Sequence, residues 1–189
     1  MSSASWPVLR SSPPGHGISS SCAPPSYFTI AALPFAFAWL LRLPSRPLPV
    51  AGSRRIDALR EAVAAFLGTT PERIALGSGS QGVLFALFHA WLEPGAAVLV
   101  PDPGFVAYPM LTRLAGAEAV PYGLGPGFGL DLEAFLRALN ATPHARLAVV
   151  NHPANPTGAG ASAEALAAVA SACEARGVLL IADEVYREL

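Results

Sequence analysis

From residue 56 onward, apolar and polar positions follow each other in a regular order. The first apolar residues recur at three- and four-residue spacing, as on one face of a helix: Ile56, Leu59, Val63, Phe66 and Leu67. Gly68 is placed to end this helix. A short apolar run at 74–76 predicts a strand, and the apolar stretch 83–92 predicts a buried helix that the following Pro-Gly pair ends.

The same alternation continues to the end of the chain. Near-continuous apolar runs predict strands at 97–100, 119–122, 147–150 and 178–182. Helices are predicted between them, at 105–114, from the capping residue Asp131 to about Leu139, and from the capping residue Ser162 to Gly177. Apolar strands separated by helices are typical of a parallel sheet covered on both faces. The predicted fold class is therefore α/β, a doubly wound, mostly parallel sheet with helices on both faces.

The N-terminal part has a different composition, since the first acidic residue is Asp57. Residues 1–26 are rich in Ser, Pro and Gly, which predicts a lack of regular structure. An apolar run at 27–41, interrupted by Pro34, is too short for a membrane span of about 20 apolar residues. A targeting peptide, a start-site error and an unrelated extension all remain open interpretations. We therefore divide the chain into 1–48, a poorly ordered or unrelated segment, and 49–189, a partial globular domain.

Composition and charge exclude several classes of function. The chain is 52% hydrophobic and 13% charged, which indicates a globular protein with a large core. Its formal net charge of −1 gives no electrostatic reason to expect nucleic acid or an acidic membrane as a partner. Cys22 and Cys173 lie in dissimilar segments, so reduced thiols are expected. The four histidines form no ligand pair on a helix face, and no metal site is predicted.

Four segments at the predicted carboxyl ends of strands carry candidate chemistry. Residues 77–82, Gly-Ser-Gly-Ser-Gln-Gly, join a strand to a helix start, where backbone N–H groups suit a phosphate, although simple turns also use glycine. Phe105 follows an Asp-Pro-Gly turn and could equally be a core residue. Residues 151–158 read Asn-His-Pro-Ala-Asn-Pro-Thr-Gly, and residues 183–186 read Asp-Glu-Val-Tyr. Ligands of such sheets collect at this edge.

Together these segments resemble the large domain of the pyridoxal-phosphate-dependent aminotransferases of classes I and II, which have fold type I. The resemblance covers roughly residues 49–189 and is most specific in the Asn-Pro-Thr-Gly and Asp-Glu-Val-Tyr segments. It implies pyridoxal 5'-phosphate as the cofactor. By resemblance, the phosphate is held by Gly79, Ser80 and Gln81, and Phe105 stacks on the pyridine ring. Asn155 and Tyr186 bind the 3-hydroxyl oxygen of the ring, and Asp183 pairs with the ring nitrogen.

One residue that this chemistry requires is missing from the sequence. All twelve Lys+Arg positions are arginine, and a guanidinium stays protonated, so it cannot condense with an aldehyde as a lysine amine can. The family's lysine follows the Asp-x-x-Tyr segment by a few tens of residues, and the family's small domain carries the arginine that binds the substrate carboxylate. We therefore interpret this chain as an inactive fragment without a catalytic residue. Such a fragment is expected to leave an unpaired strand and uncovered apolar surface.

The resemblance leaves several functions open. In the leading interpretation, the intact protein is a cytoplasmic homodimer that transfers an amino group between an amino acid and a 2-oxo acid. A decarboxylase or lyase of the same fold would use the same cofactor site, and a non-catalytic protein could bind the cofactor or a partner subunit through it. A generic nucleotide-binding domain is less well supported by the loop at 77–82. The absence of Gly-x-Ser-x-Gly argues against a hydrolase.

Overall fold

The computed structural model of this chain describes residues 27–33, 36–40 and 54–187, with side chains from residue 56 onward. The described residues form one seven-stranded sheet in the order β3-β2-β1-β7-β6-β4-β5. The strands are β1 Tyr27–Leu33, β2 Ala36–Leu40, β3 Ile74–Leu76, β4 Ala97–Asp102, β5 Glu118–Gly123, β6 Ala145–Asn151 and β7 Leu179–Glu184. All strand pairs of the described sheet are parallel except those of β2, which runs antiparallel to both β1 and β3.

Within the described residues, five α-helices flank the sheet, and they divide the core into layers. They are α1 Arg54–Leu67, α2 Ser80–Trp91, α3 Ala107–Leu114, α4 Leu132–Ala141 and α5 Ala163–Ala175. Side chains of α2 and α3 form one buried cluster with alternate residues of β4, β6 and β7. Side chains of α4 and α5 form a second cluster with the intervening residues of the same strands, which point to the opposite face of the sheet. A smaller cluster joins α1 to β3. The chain is therefore α/β with helices on both faces of a mostly parallel sheet, as the sequence predicted.

The predicted helix ends are confirmed by hydrogen bonds. The Asp131 carboxylate accepts from the backbone N–H of Ala134 at 3.0 Å, and the Ser162 hydroxyl accepts from that of Ala165 at 3.1 Å. Gly68 follows α1 with φ +64° and Gly177 follows α5 with φ +65°, a conformation that glycine adopts without a steric penalty.

Two helices begin at residues that differ from the predicted ones. Helix α2 starts at Ser80 instead of residue 83, because Gly79 takes φ +84° and turns the chain directly from the loop into the helix. Helix α3 starts at Ala107 instead of Phe105, since the chain first has to leave β4 through the bend at 103–106. Three exposed apolar side chains lie along α3: Val106, Met110 and Leu114.

Residues 27–33 and 36–40 contribute two strands to the sheet. Strand β1 pairs in parallel with β7, Ile30 opposite Asp183, and β2 joins β1 to β3. The expectation that the last strand would be unpaired is therefore wrong, because β7 lies between β6 and β1. Residues 1–26, 34–35 and 41–48 lie outside the described part, so the division at residue 48 stays a prediction. None of the helices within the described ranges is long and apolar enough to cross a membrane.

Candidate functional site

The candidate site lies where the parallel strands end. Asn151 closes β6 and Asp183 lies near the end of β7, and the two residues are partners in the strand register. The loop at 77–79 leaves β3 at the same edge, and the bend at 103–106 leaves β4 there. The topology therefore gathers at one edge the four segments that the sequence had singled out.

Asp183 is a buried acidic residue at this edge of the sheet, with only 4% of its surface exposed. Its Oδ2 accepts a hydrogen bond from the Tyr108 hydroxyl at 2.6 Å, and its Oδ1 accepts from the backbone N–H of Val185 at 3.3 Å. Burial raises the pKa of the Asp183 carboxyl above its ordinary value, and these two donors oppose the rise. A carboxylate in this position favours a positively charged group as its neighbour.

Tyr108 is buried in helix α3, 1% exposed, and faces Asp183 across the layer between helix and sheet. Burial raises the pKa of the Tyr108 phenol, and the negative charge of Asp183 raises it further. The proton of the short hydrogen bond therefore stays on the phenol. Thr112 in turn donates its hydroxyl to the Tyr108 carbonyl at 2.8 Å, one turn further along α3.

The segment 151–158 is held by its own side chains. The Asn151 amide donates to the carbonyls of Asp183 at 2.9 Å and Pro153 at 3.2 Å, and its Oδ1 accepts from the backbone N–H of Asn155 at 2.6 Å. The backbone N–H of His152 also donates to the Asp183 carbonyl, at 2.9 Å. These bonds tie the loop after β6 to the end of β7, which fixes Asn155 relative to Asp183.

His152 has a structural role in this loop. Its Nδ1 accepts from the backbone N–H of Ala161 at 2.7 Å, nine residues further along the chain. Burial lowers the pKa of the imidazole, and the charge of Arg187 lowers it further, so the neutral ring is favoured.

Asn155 and Tyr186 meet at the mouth of the site. The Asn155 amide nitrogen donates to the Tyr186 hydroxyl oxygen at 3.3 Å. Tyr186 lies in the turn after β7 and remains 37% exposed, so its hydroxyl is accessible from outside. Two polar groups that the sequence places 31 residues apart thus converge on one point.

Phe105 lies beside this network, half-buried against the cluster of α2 and α3. Its ring meets the ring of Tyr108 edge to face, with centroids 5.6 Å apart. Phe105 therefore packs against the core, as expected for a core residue, and it contacts the tyrosine that donates to Asp183. Its stacking on a ligand ring stays a prediction.

The loop 77–82 gives helix α2 an open N-terminus. Gly79 precedes the helix without a capping side chain, and a Cβ atom at Gly79 would meet no atom within 4 Å. Val83, in the first turn, packs in the same cluster as Phe105 and Val185. An uncapped helix N-terminus attracts an anion through its N–H groups and its dipole. The roles of Gly79, Ser80 and Gln81 in binding a phosphate stay predictions.

Sequence reasoning missed two members of this site, Tyr108 and Asn151. Tyr108 follows Phe105 by three residues, a spacing that places both on one side of a helix, but the same spacing is typical of any core tyrosine. Asn151 was recognised only as the first residue of its segment. Among residues 56–187, no group of three or more His, Cys, Asp or Glu side chains could hold a metal ion.

Comparisons with known proteins identify the family of this chain. The family described as aminotransferase class I and II matches residues 46–189, which is most of the chain. The chain belongs to this family. Aspartate/prephenate aminotransferase of Thermus thermophilus is 40% identical over 142 residues, which cover 71% of this chain and 36% of that protein. A probable N-succinyldiaminopimelate aminotransferase of Mycobacterium tuberculosis is 40% identical over 114 residues, 59% of this chain and 28% of that protein.

Solved structures extend the similarity to the backbone. A double mutant of Thermus thermophilus aspartate aminotransferase has a TM-score of 0.63 at 40% identity and covers 68% of this chain and 35% of that one. N-succinyldiaminopimelate aminotransferase from Mycobacterium tuberculosis has a TM-score of 0.67 at 37% identity, with coverage of 77% and 39%. The fold is thus a partial fold-type-I domain, and the chain spans about a third of the length of the curated relatives it matches.

The residues present fit the cofactor of this family, pyridoxal phosphate. The buried Asp183 carboxylate suits the protonated ring nitrogen, because an opposite charge stabilises the charged form of each. The Asn155–Tyr186 pair offers polar hydrogens to an anionic ring oxygen, and the space at Gly79 before α2 suits a phosphate. The 189 residues include no lysine that could attach the cofactor covalently.

Proposed function

We propose that this chain is the cofactor-binding part of an aminotransferase that transfers an amino group between an amino acid and a 2-oxo acid. The observation that carries the proposal is the buried Asp183 carboxylate, held by Tyr108 and placed beside the Asn155–Tyr186 pair. Membership of the aminotransferase family supports it. We further propose that the intact protein is a cytoplasmic homodimer.

Within this function, the residues of the chain bind and orient. Bound pyridoxal phosphate supplies the electron sink for charge that develops at the α-carbon of an amino acid. Asp183 keeps the ring nitrogen protonated through its negative charge, and Asn155 and Tyr186 hold the ring oxygen. The N-terminus of α2, with Gly79, Ser80 and Gln81, holds the phosphate. Phe105 would lie against the ring and exclude water from it.

The chain by itself should bind this cofactor without a covalent bond. A non-catalytic binding protein is the second candidate, because the sequence contains no lysine. Both candidates use the same pocket, and they differ only in whether an amine is supplied by residues that are not part of this sequence.

The test measures non-covalent binding of pyridoxal phosphate to the purified chain by equilibrium dialysis. We expect saturable binding that Asp183→Ala weakens at least about tenfold, because removal of a nearby opposite charge costs more than about 1.4 kcal/mol. The matched control is Glu174→Ala, which removes an exposed carboxylate from the last turn of α5 and should leave binding unchanged. Pyridoxal without the phosphate should bind more weakly if α2 holds the phosphate. Equal retention by the parent and Asp183→Ala would refute the assignment of Asp183.

A further inference from the structure

A buried ionised carboxylate needs hydrogen-bond donors to remain charged. Asp183 receives a side-chain donor from α3, Tyr108, and a backbone donor from the turn after β7, Val185. The Tyr108 bond is the shorter by far, at 2.6 Å against 3.3 Å. A hydrogen bond to an ionised acceptor is about twice as strong as a neutral one. Tyr108 therefore provides most of the stabilisation that this carboxylate receives from hydrogen bonds.

The geometry also limits how Asp183 can rotate. Its backbone carbonyl accepts from the Asn151 amide and from the His152 N–H, which fixes the main chain at this residue. The side chain is then held by one donor on each oxygen. Tyr108 is itself fixed, since it is buried in α3 and its ring contacts Phe105 edge to face.

We propose that Tyr108 is a positioning residue of the cofactor site: its hydroxyl orients the Asp183 carboxylate and favours its charged form. This inference rests on the proposed function, in which Asp183 pairs with a pyridine nitrogen. Without the phenol hydroxyl, Asp183 would keep only the weaker backbone donor in the same buried environment. It would take up a proton at higher pH, and a neutral carboxylic acid cannot stabilise a pyridinium.

The titratable groups around Asp183 are few in the described part of the chain. Tyr108 faces it from α3, Glu184, Tyr186 and Arg187 follow it at the end of β7 and in the turn after it, and His152 lies in the loop after β6. Strand β1 places Ile30, which does not titrate, opposite Asp183. A change in the titration of Asp183 can therefore be assigned to Tyr108 when the other groups are kept.

The test follows the Asp183 carboxyl carbon by NMR in the cofactor-free chain labelled with carbon-13 aspartate, with Asp183→Asn used for the assignment. In Tyr108→Phe we expect the titration midpoint to move up by about one pH unit, as for the loss of one hydrogen bond to a charged group. The control Tyr122→Phe removes another buried hydroxyl, which donates to the Val149 carbonyl at 2.8 Å and makes no hydrogen bond to Asp183. It should leave the midpoint unchanged.

Each outcome decides a stated point. An unchanged midpoint in Tyr108→Phe, or an equal shift in Tyr122→Phe, would overturn the role of Tyr108. Pyridoxal phosphate affinity, measured against pH, should fall in Tyr108→Phe at a higher pH than in the parent. A parent chain that binds no pyridoxal phosphate would overturn the proposed function instead, and the cofactor-free titration would still report on Tyr108.

A second measurement covers the case in which Tyr108→Phe does not fold. A phenol proton in a buried hydrogen bond of 2.6 Å to a carboxylate should give a slowly exchanging downfield proton signal in the parent chain. This signal should move upfield in Asp183→Asn, because the acceptor is then neutral. A parent spectrum without the signal would contradict the hydrogen bond on which the inference depends.

Discussion

The Asn155 amide nitrogen lies 3.3 Å from the Tyr186 hydroxyl, so the loop after β6 and the turn after β7 meet through one hydrogen bond between side chains. The backbone of neither segment alone would fix the position of this hydrogen bond. Asn151 holds Asn155, because the Oδ1 of Asn151 accepts from the backbone N–H of Asn155 at 2.6 Å. Tyr186 lies in the turn that follows the strand carrying Asp183. The pair therefore depends on the sheet register between β6 and β7.

We predict that Asn155 and Tyr186 act together on a bound ring oxygen. Asn155→Ala and Tyr186→Phe should each weaken binding of pyridoxal phosphate about threefold to tenfold, the effect of losing one hydrogen bond. The loss of affinity in the double variant should be smaller than the product of the two single-variant losses, because both groups donate to the same ring oxygen. Equilibrium dialysis measures all three. Asn140→Ala serves as the control, because it removes an exposed side-chain amide that accepts a hydrogen bond from Arg176 and makes none to Asn155 or Tyr186. Fully independent effects would contradict the shared contact.

We predict that borohydride leaves no covalent pyridoxyl label on any side chain of this sequence. The chain contains arginine but no lysine, and a guanidinium does not form the reducible link that an amine forms. Peptide mass mapping after denaturation measures the label and separates side chains from the α-amino group. A lysine-containing protein treated in parallel shows that the trap works. A labelled internal peptide would refute the prediction.

We predict that the fold loses stability as the pH falls below about 6.5, the ordinary pKa of a histidine. The folded-state pKa of His152 is lowered, so the unfolded chain binds more protons between the two pKa values. The contribution of His152 is therefore fully present above the unfolded pKa and is lost as the pH falls through the folded pKa. Urea unfolding at several pH values measures this loss.

The variant His152→Asn separates this effect from other acid effects. Its amide oxygen can replace Nδ1 as the acceptor for the Ala161 N–H, and asparagine does not titrate. The loss of stability as the pH falls below about 6.5 should become smaller in this variant. His144→Asn, at an exposed histidine, is the control. An identical pH profile in His152→Asn and the parent would show that His152 is not responsible.

We predict that Gly104 must remain glycine for close packing rather than for an unusual backbone angle. A Cβ at this position would overlap the Pro101 carbonyl oxygen and lie 2.9 Å from Pro101 Cγ. Gly104→Ala should therefore lower the free energy of unfolding by about 1–3 kcal/mol. Gly123→Ala is the matched control, since a Cβ there would meet no atom within 4 Å. Equal stability of the two variants in urea unfolding would contradict the overlap.

We predict that β1 is an integral strand of the sheet. Ala31 pairs with Ala38 on one side and with Glu184 on the other. Ala31→Pro removes a backbone donor from a strand with partners on both sides and should destabilise the fold by about 3 kcal/mol or more, or prevent folding. Ala31→Val keeps the donor and should have little effect. Urea unfolding that gives the same midpoint for both variants would place residues 27–33 outside the sheet.

The sequence predicted most of the layered fold because each buried strand is a short apolar run and each helix has a clear end. Asp131 and Ser162 cap their helices, and Gly68 and Gly177 end theirs. Strand order was not predictable in the same way. The pairing of β1 with β7 depends on contacts between distant residues, and the apolar run before residue 41 indicated only that this segment avoids water.

The candidate site was predicted in part for a similar reason. Segments such as 151–158 and 183–186 carry unusual polar patterns, so they are visible in the sequence. Tyr108 carries no such pattern, since a tyrosine in an amphipathic helix is equally typical of a core. Only its distance from Asp183 distinguishes it.

The position of β1 also has a consequence for biosynthesis. Ile30 and Asp183 are neighbours in the sheet although about 150 residues separate them along the chain, which makes this one of the most non-local contacts of the fold. The first described strand to leave the ribosome must therefore wait for the last described one before it finds its parallel partner. During translation, residues 27–40 would remain available to chaperones, or to the open sheet edge of another nascent chain.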